Sequence, residues 1–257
     1  GRSDVELETI ISPINRREAY DVREIIQRVM DIGSVMEVSK DFGLGHVCCY
    51  ARLNGKPCGV IANDCTYHGG ALTEAASRKV RRFMEICQTF SLPIVFFVDE
   101  PGFMVGKEAE KQGTIRAGTA AVLTASTLTV PTVTVIMRKL YGVAAASHFG
   151  PEGHTVIWPT AEMGALPIES GVAVAFKRLL ESLPEKEREE KRKELEKSFA
   201  ERLDPFPIAH SFSAHDMILP TETRPYLCDW IETVWGLVQQ HVASKKYENV
   251  NKFPIRA

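Results

Sequence analysis

The residues best suited to chemistry follow an apolar run, Pro93–Val98, which has the composition of a strand buried in a parallel sheet. The run ends at Asp99, and a Pro101-Gly102 turn and a glycine-punctuated loop then lead to a helix predicted to begin near Gly113. Pro-Gly in this order favours a type II turn with a positive φ angle at the glycine. Ligands of parallel α/β sheets bind at the carboxyl ends of strands, so the loop is either part of a functional site or a simple connection.

Other reactive side chains do not form a recognisable site in the sequence. The six cysteines contain no Cys-x-x-Cys pair, and several lie in apolar runs where a free cysteine packs as a small hydrophobic residue. The seven histidines are scattered without a His-Glu-x-x-His motif, so no metal site is predicted. No Ser/His/Asp or paired-carboxylate arrangement is evident.

The composition is that of an ordinary globular protein. The 257 residues are 44% hydrophobic and 25% charged, with a net charge of −2. The balance of charge argues against a nucleic-acid partner, and no apolar run approaches the ~20 residues that span a bilayer, so no membrane partner is predicted. The polar, acidic start has no signal-peptide pattern. Unpaired cysteines then favour a cytoplasmic location or an organelle matrix.

Hydrophobic periodicity predicts alternating strands and helices. Asn54-Gly55 separates two strand-like runs at 47–53 and 57–62, which is the strongest short signal for a β-hairpin. Amphipathic helices are predicted over 16–32 and 72–90. The remaining predicted elements are strand 93–98, a helix near 113–128, strand 132–136, a strand near 154–158 and a helix over 161–180. This order predicts an α/β fold, a crotonase-like spiral of strand-strand-helix units.

The last quarter of the chain has a different character. Residues 184–197 are densely charged with mixed sign, which predicts a solvated helix with i,i+4 ion pairs. The segment Tyr226–His241 has the pattern of an amphipathic helix that packs on its own domain or on a partner. Without an internal repeat or a low-complexity linker, residues 1–257 are expected to form one domain, with a mostly helical tail at 184–257.

Ordered motifs along nearly the whole chain resemble the C-terminal half of the carboxyltransferase component, beta subunit type, of biotin-dependent acyl-CoA carboxylases. Each motif is short, and their specificity lies in their order. The motifs are Tyr20–Arg23 with Asp31–Glu37, Ala51–Pro57, Gly69–Leu72 with Lys79, Phe83 and Cys87, the loop to Gly118, Pro131, Arg138–Gly142, Trp158–Ala161, Asp216–Pro220 and Thr223–Arg224.

The resemblance implies a crotonase-like domain that transfers a carboxyl group from carboxybiotin to the α-carbon of an acyl-CoA thioester. It also implies several partners: an N-terminal carboxyltransferase half, a biotin carboxyl carrier, a biotin carboxylase and further copies of the chain in a homo-oligomer. In this family biotin itself is thought to take the α-proton, so no protein general base is required. The expected cofactor is biotin on a partner, and the substrate is a coenzyme A thioester.

Transfer builds negative charge on the ureido oxygen of biotin and on the thioester oxygen, and each oxygen needs fixed hydrogen-bond donors. The resemblance implies that the second half supplies backbone N–H donors for biotin. The implied donors are Val143, Ala144, Ala145, Gly69, Gly70 and Ala71. The glycine pair, which enters a helix at Leu72, is equally well interpreted as a tight turn. Residues implied to contact biotin or substrate are Tyr141, Gly142, Gly102, Phe103 and Ala146.

The sequence departs from the family pattern near the implied pocket. Val143 and Ala144 replace a glycine-rich pair of positions, His148 and Pro151 are unusual, and Thr73 replaces a common aspartate while remaining a good helix N-cap. These changes keep open two alternatives to the carboxyltransferase: a biotin-dependent decarboxylase that runs the transfer backwards, and a catalytically impaired scaffold. A hydratase or isomerase is disfavoured because no pair of pocket glutamates is found. Glu100 and Glu169 are the only nearby candidates.

Two further side chains have structural interpretations. Asp99 is expected to cap its loop rather than to touch substrate, and Arg116 is expected to form a structural ion pair rather than a phosphate contact. His68 lies beside the glycine pair, but an isolated histidine of this kind is seldom catalytic.

Overall fold

The fold is built on one mixed sheet of eight strands. The computed structural model describes residues 4–244 except for 14, 16, 203–205 and 207–212. The strands are β1 Met36–Val38, β2 His46–Leu53, β3 Lys56–Asn63, β4 Ile94–Glu100, β5 Thr132–Tyr141, β6 His154–Ile157, β7 Glu162–Gly164 and β8 Asp216–Met217. Strands β1 to β3 are antiparallel, β3 to β6 and β8 are parallel, and β7 pairs with the end of β5.

Helices connect the parallel strands and cover both faces of the sheet. They are α1 Leu7–Ile10, α2 Val22–Val29, α3 Glu74–Phe90, α4 Lys107–Gln112, α5 Thr114–Ser126, α6 Ile168–Ala175, α7 Lys177–Ser182, α8 Glu185–Arg202 and α9 Thr223–Ser244. The predicted helix over 161–180 is wrong in part, because β7 and two short helices occupy that segment. The helix predicted over 16–32 is shorter than expected, and the sequence did not predict β1 or β8.

The predicted hairpin is confirmed. Residues Asn54 and Gly55 both have positive φ angles, 50° and 78°, and they join β2 to β3 in antiparallel register. Positive φ at both central residues is the requirement of a type I′ turn, whose twist matches that of the flanking strands. The Asn-Gly pair therefore sets the register of the two strands that lead to the site.

Alternating side chains of β4 enter two separate cores. Val95 and Phe97 pack in a cluster with residues of α2 and α9, while Phe96 and Val98 pack with residues of α3 and α5 on the opposite face. This is the period-two geometry of a strand that is covered on both sides. The buried residues of α9 in the first cluster show that the last amphipathic helix packs on its own domain, one of the two alternatives that its pattern left open.

Cysteine burial agrees with the prediction that these residues pack as small hydrophobic side chains. All six cysteines are free, and five of them are buried. Burial raises the pKa of Cys48 and of Cys58 to about 12, so neither thiol is reactive at neutral pH. The charged segment forms α8 as predicted, although its ion pairs, Lys191–Glu194 and Arg192–Glu189, are spaced i,i+3 rather than i,i+4. None of the described helices has the length and apolar character needed to cross a bilayer.

A buried ion pair joins the ends of β4 and β5. Arg138 Nη2 lies 2.7 Å from Asp99 Oδ2, and both side chains are inaccessible to solvent. Asp99 also accepts hydrogen bonds from the Tyr20 hydroxyl at 3.0 Å and the Lys139 backbone N–H at 3.1 Å. Arg138 also donates to the Glu18 carbonyl oxygen at 2.6 Å. The interpretation of Asp99 as a structural residue fits these contacts.

Removing one partner of this pair should destabilise the fold strongly. We expect Arg138→Met to reduce the free energy of unfolding by about 3–5 kcal/mol, because the Asp99 carboxylate stays buried without its counter-charge. Denaturant unfolding measures the change. The control is Arg17→Met, which breaks an exposed ion pair with Glu169 and should cost less than about 1 kcal/mol. Equal effects of the two substitutions would show that the buried pair has no special role.

Candidate active site

The structure brings together the three segments that the sequence predicts as a site. Leu72 and Phe103 form an isolated parallel bridge, in which the Leu72 N–H donates to Gly102 O at 3.0 Å and the Met104 N–H donates to Leu72 O at 3.1 Å. Phe103 packs against a small apolar cluster that contains Leu72 and Ala144. The glycine turn, the loop after β4 and the segment after β5 therefore meet at one place.

The glycine pair forms a tight turn whose donors are mostly used within the chain. The Gly70 N–H donates to the Tyr67 carbonyl at 2.9 Å, and the Ala71 N–H donates to the His68 carbonyl at 3.2 Å. Both glycines have positive φ, and a Cβ on Gly70 would lie 3.1 Å from Asp99 O. These contacts favour the turn interpretation. The helix begins at Glu74 with Thr73 as its N-cap, rather than at Leu72.

The loop after β4 fixes Phe103 against helix α5. Gly102 has a positive φ of 122°, as the Pro-Gly order predicts. A Cβ built on Gly118 would lie only 2.2 Å from Phe103 Cε1, so the ring occupies the space that a side chain at this position would need. Gly118 therefore permits the close approach of Phe103 to α5.

The segment after β5 presents unpaired backbone donors. Gly142 has φ 65° and precedes a short 3-10 helix, Val143–His148. The first N–H groups of a helix have no partner inside it, and no acceptor elsewhere in the described chain receives the N–H of Val143 or Ala144. Val143 is 72% exposed as a whole residue, whereas Ala144 is buried together with its backbone. This arrangement fits the predicted donor role better than the glycine turn does.

The other predicted contact residues divide into surface and interior positions. Ala146 is exposed on the 3-10 helix and Ala145 is partly exposed. Tyr141 is 1% exposed, and its hydroxyl lies 2.7 Å from Glu162 Oε2. A direct contact between the Tyr141 side chain and a ligand would therefore require a rearrangement.

The structure also locates the residues with structural interpretations. Arg116 is exposed, and no ion pair involving it occurs in the described part of the chain, so the expectation of a structural ion pair is not supported. His68 is exposed in the glycine turn. Glu169 pairs with Arg17 near the surface, whereas Glu100 is buried.

Sequence reasoning missed a buried cluster formed by His46, Glu100 and His148. The Nε2 atoms of His148 and His46 lie 3.1 Å and 3.5 Å from Glu100 Oε2, and the two imidazole rings are nearly parallel. All three side chains are buried. The sequence marked His148 as unusual and Glu100 as a nearby carboxylate, but nothing connected either of them with His46.

Glu100 remains ionised although it is buried. Burial by itself would raise the pKa of Glu100, but the neighbouring imidazoles of His148 and His46 outweigh it and lower the pKa to about 2. Burial is also the main cause that lowers the pKa of His46. Within the described part of the chain, hydrogen-bond donors rather than an arginine or a lysine therefore stabilise this carboxylate.

Comparison with known proteins identifies the family. The carboxyl transferase domain model matches residues 2–249. The chain belongs to the carboxyltransferase family. It is 36% identical over 225 residues to the carboxyltransferase subunit of propionyl-CoA carboxylase from Haloferax mediterranei, a match that covers 85% of this chain and 43% of that protein. It is 32% identical to the methylmalonyl-CoA carboxyltransferase 12S subunit of Propionibacterium freudenreichii subsp. shermanii, covering 96% of this chain and 47% of that subunit.

Solved carboxyltransferase structures share this fold. The transcarboxylase 12S crystal structure superimposes with a TM-score of 0.80 at 31% identity, covering 91% of this chain and 45% of that one. A single-chain, multi-domain long-chain acyl-CoA carboxylase superimposes with a TM-score of 0.78 at 34% identity, covering 86% of this chain and 22% of that one. The prediction of a crotonase-like carboxyltransferase fold is confirmed. The chain spans less than half the length of the relatives described here.

Proposed function

We propose that this chain forms the biotin-side half of an acyl-CoA carboxyltransferase. The observation that carries the proposal is the pair of unpaired N–H groups of Val143 and Ala144, at the start of a helix beside Phe103. Two preorganised donors of this kind fit an oxygen on which negative charge develops. Carboxybiotin supplies the carboxyl group. When this group is released, negative charge develops on the ureido oxygen of the remaining biotin.

The contribution of the chain is positioning and electrostatic stabilisation. Gly142 has a positive φ angle at the end of β5, and the 3-10 helix that follows it leaves its first two N–H groups without an acceptor in the described chain. Phe103, fixed by Gly118, forms an apolar wall next to Ala144. A wall of this kind excludes water and strengthens the hydrogen bonds of nearby donors.

A partner half and an oligomer complete the proposed site. Large apolar side chains remain exposed on the loop, helix and 3-10 helix that carry the site, namely Val105, Ile115, Leu123 and Val143. Exposed apolar surface around a site is typical of a protein interaction surface. We propose that an N-terminal carboxyltransferase half covers it and contributes acyl-CoA contacts, and that a biotin carboxyl carrier brings the biotin. The related transcarboxylase 12S structure is described as a hexamer assembly with methylmalonyl-CoA bound.

The relatives favour carboxyl transfer over the decarboxylase alternative. The proteins described above are carboxylases and a carboxyltransferase. The scaffold alternative rested on the altered segment after Gly142, yet this segment retains backbone donors even with Val143 and Ala144 in place of the family pattern.

We expect the isolated chain to show almost no transfer from carboxybiotin to an acyl-CoA, because the partner half supplies part of the site. Addition of the N-terminal half and a biotin carrier should produce turnover, which a radiolabelled bicarbonate or coupled spectrophotometric assay can follow. Light scattering should show a mass above 28.6 kDa for the assembled protein. Full turnover by the chain alone would contradict the two-half proposal, and no turnover by a correctly assembled complex would favour the scaffold.

A second prediction tests the donors directly. Val143→Pro removes one backbone N–H, and Val143 is the first helical residue, a position that tolerates proline. Gly142 has an extended ψ of −160°, which suits a residue before proline. We expect kcat of the assembled enzyme to fall by about 10²–10³, the usual effect of losing one oxyanion donor.

Glu74→Pro is the matched control for this substitution. It places proline at the first residue of α3, where Thr73 is the N-cap and has an extended ψ of 171°. This variant should keep its transfer rate. If Val143→Pro assembles normally and also retains full kcat, the donors lie elsewhere, and Gly69 becomes the next candidate.

A further inference from the structure

The Glu100 carboxylate connects all three segments of the candidate site. Its Oε1 atom accepts the Gly102 N–H at 2.9 Å, and its Oε2 atom accepts Asn63 Nδ2 at 3.0 Å. His148 is the last residue of the 3-10 helix, and the first residues of this helix carry the proposed donors. The Nε2 atom of His148 lies 3.1 Å from the same oxygen. One buried side chain therefore contacts the loop after β4 and the helix after β5.

Asn63 extends this network to the glycine turn. Its Oδ1 atom accepts the Asp99 N–H at 3.1 Å, and its Nδ2 atom donates to the Gly70 carbonyl at 3.1 Å. These two backbone contacts fix the orientation of the amide, so the remaining N–H of Asn63 points towards Glu100. The glycine turn, the Gly102 loop and the 3-10 helix are thus tied to a single anion.

The orientation of Asn63 also decides between a hydrogen-bonded cluster and a metal centre. Two histidines and a carboxylate are side chains that transition metals bind. However, Asn63 turns its NH₂ group, which lies 3.1 Å from His46 Nε2, towards this centre, and it cannot present its carbonyl oxygen there without losing both backbone contacts. With an amide donor in that place, a His148 imidazole that donates its Nε2–H to an ionised Glu100 accounts for the geometry.

We propose that Glu100 and His148 are positioning residues for carboxyl transfer, and this inference rests on the proposed function. Three hydrogen-bond donors surround the Glu100 carboxylate, namely the Gly102 N–H, Asn63 Nδ2 and the Nε2–H group of His148, and His46 Nε2 lies 3.5 Å from Oε2. Their shared acceptor sets the position of the 3-10 helix relative to the Gly102 loop. The N–H groups of Val143 and Ala144, at the other end of this helix, are thereby held in place.

The proposal is tested with Glu100→Gln in the complex assembled with the N-terminal half and a biotin carrier. A glutamine must direct its NH₂ group at one of the donors, so it disrupts the network while keeping the shape of the side chain. We expect kcat to fall by about 10²-fold, the effect typical of a small misplacement of catalytic groups. KM for the acyl-CoA should change much less than kcat. Amide hydrogen exchange at 143–148 should become faster.

His148 provides a second, independent pair of variants. His148→Leu removes the donor to Glu100 and should lower kcat as Glu100→Gln does. His148→Gln retains an amide N–H at the position of Nε2 and should restore most of the rate. This pair tests the proposal even if Glu100→Gln does not fold.

Thr223→Val is the matched control for loss of a buried hydrogen bond away from the site. It deprives Trp158 Nε1 of its acceptor, which lies 2.9 Å away on Thr223, and both residues are buried in the other core. It should lower the melting temperature without lowering kcat. The proposal fails if assembled Glu100→Gln or His148→Leu keeps full kcat, if Thr223→Val loses the same rate, or if His148→Gln is as impaired as His148→Leu.

Two further measurements separate this inference from its alternatives. One equivalent of zinc or another transition metal per chain, measured by mass spectrometry of the purified complex, would overturn the hydrogen-bonded assignment. An assembled wild-type complex without transfer would instead contradict the proposed function. In that case amide hydrogen exchange in Glu100→Gln tests the positioning role without an activity assay. Unchanged exchange at 143–148 refutes the role, and faster exchange supports it.

Discussion

The rest of the structure depends on the contacts that stabilise two consecutive buried carboxylates at the end of β4. The Asp99 carboxylate contacts Tyr20 of the first cluster, and Glu100 contacts His148, whose ring lies against Phe96 of the second, so the two carboxylates point to opposite faces of the sheet. An isolated charge in such an environment is costly unless it is paired or hydrogen-bonded. Asp99 is stabilised by Arg138 and Tyr20, and Glu100 by imidazole, amide and backbone donors.

The contacts of Asp99 and those of Glu100 fix different parts of the molecule. The Asp99 network connects β4 with β5 and, through Tyr20, with the segment before α2. The Glu100 network instead connects loops and the 3-10 helix. The first network therefore holds the scaffold and the second holds the elements that carry the proposed donors. Because the two residues are neighbours, a shift at the end of β4 would move both networks together.

The fold could be predicted from the sequence where local signals were strong. Asn54-Gly55 defined a hairpin because only a few residue types adopt positive φ at both positions, and the apolar run at 93–98 defined a strand covered on both faces. The segment 161–180 was mispredicted as one helix, since β7 depends on pairing with the end of β5. Three-residue pairing of this kind leaves almost no local pattern.

The site could be predicted only in part, because some of its residues also come together through pairing between segments that are distant in the chain. Glycines at 102 and 142 marked turns because positive φ restricts residue choice, and the motifs around them carried the family resemblance. The cluster of His46, Glu100 and His148 brings together residues separated by 54 and 48 positions in the chain, where no spacing rule applies. The antiparallel pairing of β2 with β3 places His46 opposite Asn63, and the parallel pairing of β3, β4 and β5 brings this end of the hairpin beside Glu100 and the 3-10 helix after β5. A buried polar cluster of this kind is therefore a property of the topology, and its position next to unpaired backbone donors is what gives it a functional meaning.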